Sequence, residues 1–179
     1  MRFLSFLGLC LIAMFICGLY GAIHDQISFT VSSEYFTKFK YYQFGLVDSP
    51  LPDRAKAALI GFLATWWMGV PIGIVVGGSG FIHRPAAAMF KRTLRAYAVA
   101  AIVTLLIGLG GLAYGVLFAR HNPADYQWFF PGDLTNPAGY ISVAYMHNYG
   151  YLGGLIGVLA GLAAQIIQRL PIGRRSLGT

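Results

Sequence analysis

Residues Gly18 to Phe44 read GLYGAIHDQISFTVSSEYFTKFKYYQF, and within them an uncharged apolar run gives way to the first polar stretch of the chain. Upstream, Phe3 to Ile23 is uncharged over 21 residues. At about 1.5 Å of rise per helical residue this run spans about 31 Å, against a hydrocarbon core about 30 Å thick. The same test picks out Ala57 to Ile82, Ala96 to Ala119 and Tyr140 to Gln168. The predicted fold class is all-α: an integral membrane four-helix bundle, one domain over residues 1–179, with spans at about 3–23, 57–82, 96–119 and 140–168. Outer loops are expected at 24–56 and 120–139.

Composition supports lipid as the solvent. The chain is 57% hydrophobic with a mean hydropathy of +0.63, and its 11% of charged residues is far below the roughly 25% of a soluble domain. A net charge of +7 raises the question of nucleic acid, and charge placement answers it. Arg2, Arg84, Lys91, Arg92, Arg95, Arg169, Arg174 and Arg175 fall on the side of the amino end, the 83–95 connection and the tail, with no acid among them. The two longer loops carry Lys38, Lys40, Arg54, Lys56 and Arg120 together with all six acids, Asp25, Glu34, Asp48, Asp53, Asp125 and Asp133. The positive-inside rule then predicts a bacterial inner membrane protein with both termini cytoplasmic. Its expected surroundings are a lipid bilayer and a membrane-protein partner or further copies of itself, and no nucleic acid.

The competing reading of the first run is a cleaved signal peptide. Small residues are poorly placed around Tyr20 to Ala22 for cleavage, so an uncleaved span is expected. Both cysteines, Cys10 and Cys17, lie inside this run with neither Cys-x-x-Cys nor zinc-finger spacing, and reduced thiols are expected. In the loop after it, SSEYFTKFKYYQF predicts a short amphipathic helix at the membrane surface, opened by Ser32 or Ser33. Pro71 predicts a kink in the second span. Trp66 and Trp67 sit deep enough that at least one is expected to face protein. The second loop is rich in turn residues and carries aromatics at Trp128, Phe129 and Phe130.

Glycines recur at four-residue spacing: Gly69, Gly73 and Gly77, then Gly111 and Gly115, then Gly153, Gly157 and Gly161. Such GxxxG grooves let helix backbones approach closely, and their recurrence in three spans points to a closed bundle. A faint echo, Gly18-Leu19-Tyr20-Gly21 before His24 and Gly111-Leu112-Ala113-Tyr114-Gly115 before His121, suggests two related halves. Gly77-Gly78-Ser79-Gly80 has neither the lysine nor the setting of a phosphate loop.

Ionisable groups within a span are functional candidates by default. His147 and Asn148 lie about 9 Å along the fourth helix from Ile141. His147 shares its face with Ala144, Gly150, Gly154 and Gly161, which orients it inward. Stepping back from His24 gives Tyr20, Cys17, Ala13 and Cys10, again a small or weakly polar stripe. With the first and fourth helices adjacent, His24, Asp25, Gln26, His147 and Asn148 converge beneath Glu34 and the outer loops, ringed by Tyr20, Tyr145, Tyr149 and Tyr151. The first expectation is a hydrogen-bonded clasp in a structural or accessory protein: His147 to Asp25 or a tyrosine, Asn148 to Gln26, and Glu34 to Lys38. The next is a metal ion on His24, His147 and one or both of Asp25 and Glu34, or a haem between the two histidines. The last is a path for a proton, ion or small solute, for which the other half of the bundle offers almost no polar group. No catalytic residue is identified.

The string YGAIHDQISFTVSSEYFTKFKYYQF, with GFLATWWMG and MHNYGYLGG later, resembles a family of uncharacterised small bacterial proteins with four predicted spans. The resemblance runs through most of the chain and is most specific over the HDQ and EYFTKFK segments. It implies a four-span membrane fold and a bacterial source, and it carries over no activity and no site residue.

Overall fold

The computed structural model describes residues 1–170, except for the side chains of Trp128 and Phe129; the tail arginines Arg174 and Arg175 lie outside the described residues. Four long helices dominate the described residues: α1 (Arg2–Val31), α3 (Asp53–Ile82), α4 (Ala86–Leu117) and α5 (Pro137–Ile167). A short helical segment, α2, joins α1 to α3 through a π turn over Phe36–Lys40 and one further turn at Tyr41–Gln43. The fold is an all-α bundle, and all four long helices are long and apolar enough to cross a membrane. Their outward faces agree, since Leu4, Leu11, Phe15, Leu155 and Leu159 are exposed. In water such a surface would drive association; facing acyl chains it costs nothing.

The helices pack as two pairs. In α1/α3, Gly21 meets Gly61 backbone to backbone, so that a Cβ on either would run into the other's carbonyl oxygen. Gly73 lies so near Cys10 that a Cβ there would stand 2.9 Å from the Cys10 Cα. The Thr65 hydroxyl adds a polar tie, 2.7 Å from Cys17 O and 2.8 Å from its own helix at Gly61 O. The α4/α5 pair repeats the device: added Cβ atoms at Gly115 and Gly157 would stand 2.6 Å from Ser142 Cα and Ala100 O, and Thr104 bonds Gly153 O at 3.2 Å. Small residues remove the bulk that would hold backbones apart, so dispersion and these hydroxyl bonds act at close range.

Helix α3 is broken where Pro71 predicts. Pro71 lacks an N–H and crowds the carbonyl four residues earlier, and a 3₁₀ turn occupies Trp66–Met68, followed by a π turn over Gly73–Gly77. Trp67 is 54% exposed, whereas Trp66 is 38% exposed and has most of its surface covered. The inward face there belongs to Gly69 and Gly73, which bring α1 too close for an indole.

The two pairs touch at both ends and part between them. At the arginine end the fully buried Gln165 of α5 donates to Val76 O at 3.2 Å and Thr93 Oγ1 at 2.9 Å, and lies 2.7 Å from His83 Nε2. The sequence reading found almost no polar group in that half. It missed this knot because a lone glutamine in an apolar run has no periodic signature, whereas its partners come from two other helices. At the opposite end the contact runs through His24, His147 and the loops.

Candidate functional site

His24 and Asp25 lie within α1, which continues past the apolar run to Val31. Apolarity sets where a helix can sit in lipid, whereas backbone hydrogen bonding carries it on until Ser32 turns extended. His24 is 6% exposed and Asp25 3%. The His24 Nδ1 stands 3.1 Å from Asp25 Oδ1, and that carboxylate oxygen is 3.8 Å from His147 Nε2 on α5. The imidazoles meet edge to face with centroids 4.7 Å apart. One donor atom from each of His24, Asp25 and His147 falls within 4.8 Å of the others.

This trio is incomplete as a hydrogen-bonded unit. Both His24 Nε2 and His147 Nε2 are buried without a hydrogen-bond partner, as is the Tyr20 hydroxyl nearby. A buried polar atom left unpaired costs roughly 1–3 kcal/mol. Three such atoms lie in one place, where water or an ion would pair them.

Other candidates are distributed differently. Tyr20 lies 5.9 Å from His24 between ring centroids, and Tyr151 lines the cavity beside the histidines. Tyr145 and Tyr149 instead pack with Tyr114, and Tyr145 bonds Tyr126 at 3.1 Å. Asn148 is exposed, and Gln26 donates to Arg54 O at 2.9 Å, so the expected Asn148–Gln26 bond does not form. Glu34 and Lys38 do not pair with each other. Glu34 accepts from the amides of Thr135 at 2.9 Å and Asn136 at 2.7 Å and from the Thr135 hydroxyl at 2.8 Å, and Lys38 pairs with Asp133. These bonds latch the loop after α1 to the loop after α4, above the histidines.

Beneath that latch α2 is amphipathic, as expected: Tyr42 and Gln43 are exposed while its other face is buried and forms a roof over the histidines. Phe36, Tyr35 and Tyr41 are 0%, 5% and 4% exposed. Tyr35 stacks on His147 at 4.7 Å and 25°. Lys40 lines the same cavity, but its ammonium is engaged elsewhere: it donates to Gln43 Oε1 at 3.0 Å and lies over the faces of Tyr35, Phe39 and Phe44. Burial pushes the Lys40 ammonium below the usual lysine range, and the Asp25 carboxylate works against that. Neither Tyr35 nor Lys40 was singled out from the sequence. Both reach the site only because the loop folds inward.

From the trio a cavity of about 120 Å³ extends between the helix pairs, bordered by Cys17, Ile60, Thr65, Tyr97, Thr104 and Val158 among others. A single water needs about 10–15 Å³ on this measure, so several waters or a small molecule fit beside the imidazoles.

The loop latch makes a pH prediction. Partial burial works to raise the Glu34 carboxyl, but the Thr135 and Asn136 hydrogen bonds outweigh it and hold the group below its ordinary range. A lowered carboxyl stabilises the fold fully above the ordinary value, and this is lost as pH falls through the lowered one. Between about pH 5 and 3 the wild type is expected to lose thermal stability that Glu34→Gln never has, a difference under about 1 kcal/mol at so exposed a site. Parallel melting curves across that range check it, and identical acid dependence in both proteins would remove Glu34 from the latch.

No family model, curated protein or solved structure matches the chain.

Proposed function

We propose that the chain is an integral protein of a bacterial inner membrane that binds one divalent transition-metal ion through His24, His147 and Asp25. The observation that carries this is the pair of buried, unpartnered imidazole nitrogens gathered with a carboxylate inside 4.8 Å. Two imidazoles and one carboxylate are the donor set of zinc or ferrous sites, which keep a coordination position open. A four-coordinate ion with bonds of about 2.0–2.2 Å wants its donors about 3.4 Å apart, and Asp25 Oδ1 stands 3.8 Å from His147 Nε2. Asp25 also accepts from His24 Nδ1–H, which leaves the Nε2 lone pair free and aimed toward α5, where a Cβ on Gly150 would stand 3.7 Å from it. The open position then faces the cavity, so a small molecule entering between the helix pairs meets the ion. A haem is less well served, since rings in edge contact at 4.7 Å leave no slot for a porphyrin. The clasp role passes to Glu34 and Lys38.

The experiment is metal retention. Protein in lipid nanodiscs, loaded with zinc and dialysed, is expected to keep about one ion per chain. Lys40→Met is expected to bind it more tightly, because a cation beside a dication is repulsive. Retention of no metal by either protein would overturn the reading.

Orientation follows from the arginines. With both termini cytoplasmic, a periplasm-active reporter fused after Val47 is expected to be active and one fused near Lys91 silent. The reverse pattern would put the metal site on the cytoplasmic side.

A further inference from the structure

At the end opposite the histidines, guanidinium groups converge on the turn between α3 and α4. Arg2 of α1 reaches Phe81 O and, at 3.1 Å, His83 O. Arg92 of α4 stands 3.0 Å from His83 Nδ1, Arg169 beyond the end of α5 reaches Ile82 O, and Arg84 is exposed on the turn itself. Arg84, Arg92 and Arg169 line one open hollow with Phe81, Ile82 and His83. Three long helices and the connecting turn thus each bring one cation to a single place.

No acidic side chain among the described residues neutralises them. All six acidic side chains belong to the segments at the other end. Carbonyl oxygens of the turn take up some donors, but Arg2 Nε is buried without a partner and Arg84 makes no hydrogen bond among the described residues. His83 adds no compensating charge. It is 1% exposed, burial pushes its imidazole below the usual histidine range, and its Nδ1 accepts from Arg92 while Nε2–H donates to Gln165. Gathering four like charges is unfavourable unless an anion joins them, and the forked guanidinium matches the oxygens of phosphate. Phe81, which lines the hollow, is 40% exposed, and Phe3 and Leu4, next to Arg2 on α1, are 63% and 70% exposed, as neighbouring acyl chains would require.

We infer that this hollow binds a phosphate-bearing anion, which ties the α3–α4 turn, α4 and the end of α5 together at the arginine end, with Arg2 of α1 fastened to the same turn. The anion is either the phosphodiester head group of an acidic membrane lipid or free inorganic phosphate. His83 connects it to the buried Gln165 knot, so occupancy bears on how the two helix pairs are held. This site is independent of the metal reading and stands or falls without it.

The test compares thermal unfolding in nanodiscs of three kinds: phosphatidylcholine with phosphatidylglycerol in phosphate-free buffer, phosphatidylcholine alone, and phosphatidylcholine with inorganic phosphate. A rise in midpoint with phosphatidylglycerol assigns the site to a lipid head group; a rise only with phosphate assigns it to the free anion. Either supports the inference. Arg84→Gln, which breaks no bond within the protein, and the double variant Arg84→Gln/Arg169→Gln are expected to weaken the anion's hold about fivefold for each arginine removed. Arg95→Gln, an exposed arginine outside the hollow, is the control and should behave as wild type. No stabilisation in either anionic condition, or an equal rise in the double variant, would overturn it.

Discussion

His24→Ala and His147→Ala, made separately, are each expected to reduce retained zinc from about one ion per chain to background while the protein stays helical. Altering a residue that only orients a ligand already costs about 10–100-fold in metal affinity, and deleting one of three ligands costs more. Asp25→Asn is expected to fall between, because an amide still accepts from His24 Nδ1–H yet brings no negative charge to the ion. Gln26→Ala and Asn148→Ala should retain metal as the wild type does, since Gln26 is held by Arg54 and Asn148 is exposed. The stability readout separates this account from a clasp. With an ion bound, a chelator should lower the wild-type melting temperature toward that of His147→Ala and leave the variant unmoved. If both histidines only packed the helices together, the chelator would change neither.

The second large effect is expected at the closest helix crossing. Gly61→Leu is expected to separate α1 from α3 and abolish a single well-behaved species in detergent. Overpacking costs about 1–3 kcal/mol where side chains can move aside. Here the obstacle is the Gly21 carbonyl on a helix backbone, which has no rotamer to change, so the cost should lie at or beyond the top of that range. Gly110→Leu is the matched control, because a Cβ there meets nothing within 4 Å. Circular-dichroism melting and size-exclusion profiles of the two variants check the contrast, and equal behaviour would mean that the glycine contacts do not hold the pair.

Much of the fold was legible because lipid imposes a simple length rule, and four uncharged runs of sufficient length satisfy it. The pairing of His24 with His147 was also legible, since each sits on a stripe of small residues and small residues mark inward faces. What lay hidden depended on the loops. Tyr35 and Lys40 reach the site because α2 folds inward, and its aromatic composition suits a membrane surface equally well. The Glu34 bonds to Thr135 and Asn136 join segments about a hundred residues apart, a pairing that no local spacing encodes, so the i,i+4 partner Lys38 looked the better choice. Asn148 neighbours His147 in sequence, but consecutive helical residues point about 100° apart, which sends it to the exterior. Depth alone did not tell Trp66 from Trp67, and the glycines one turn onward take the interior of the pair.

The central claim is that the two imidazoles and the Asp25 carboxylate form one coordination sphere. The most direct measurement is X-ray absorption at the zinc edge on zinc-loaded protein in nanodiscs. The account predicts two imidazole nitrogens and oxygen donors at about 2.0–2.2 Å, a shell that His147→Ala does not give. A shell of oxygen alone, or a spectrum unchanged by that substitution, would contradict it.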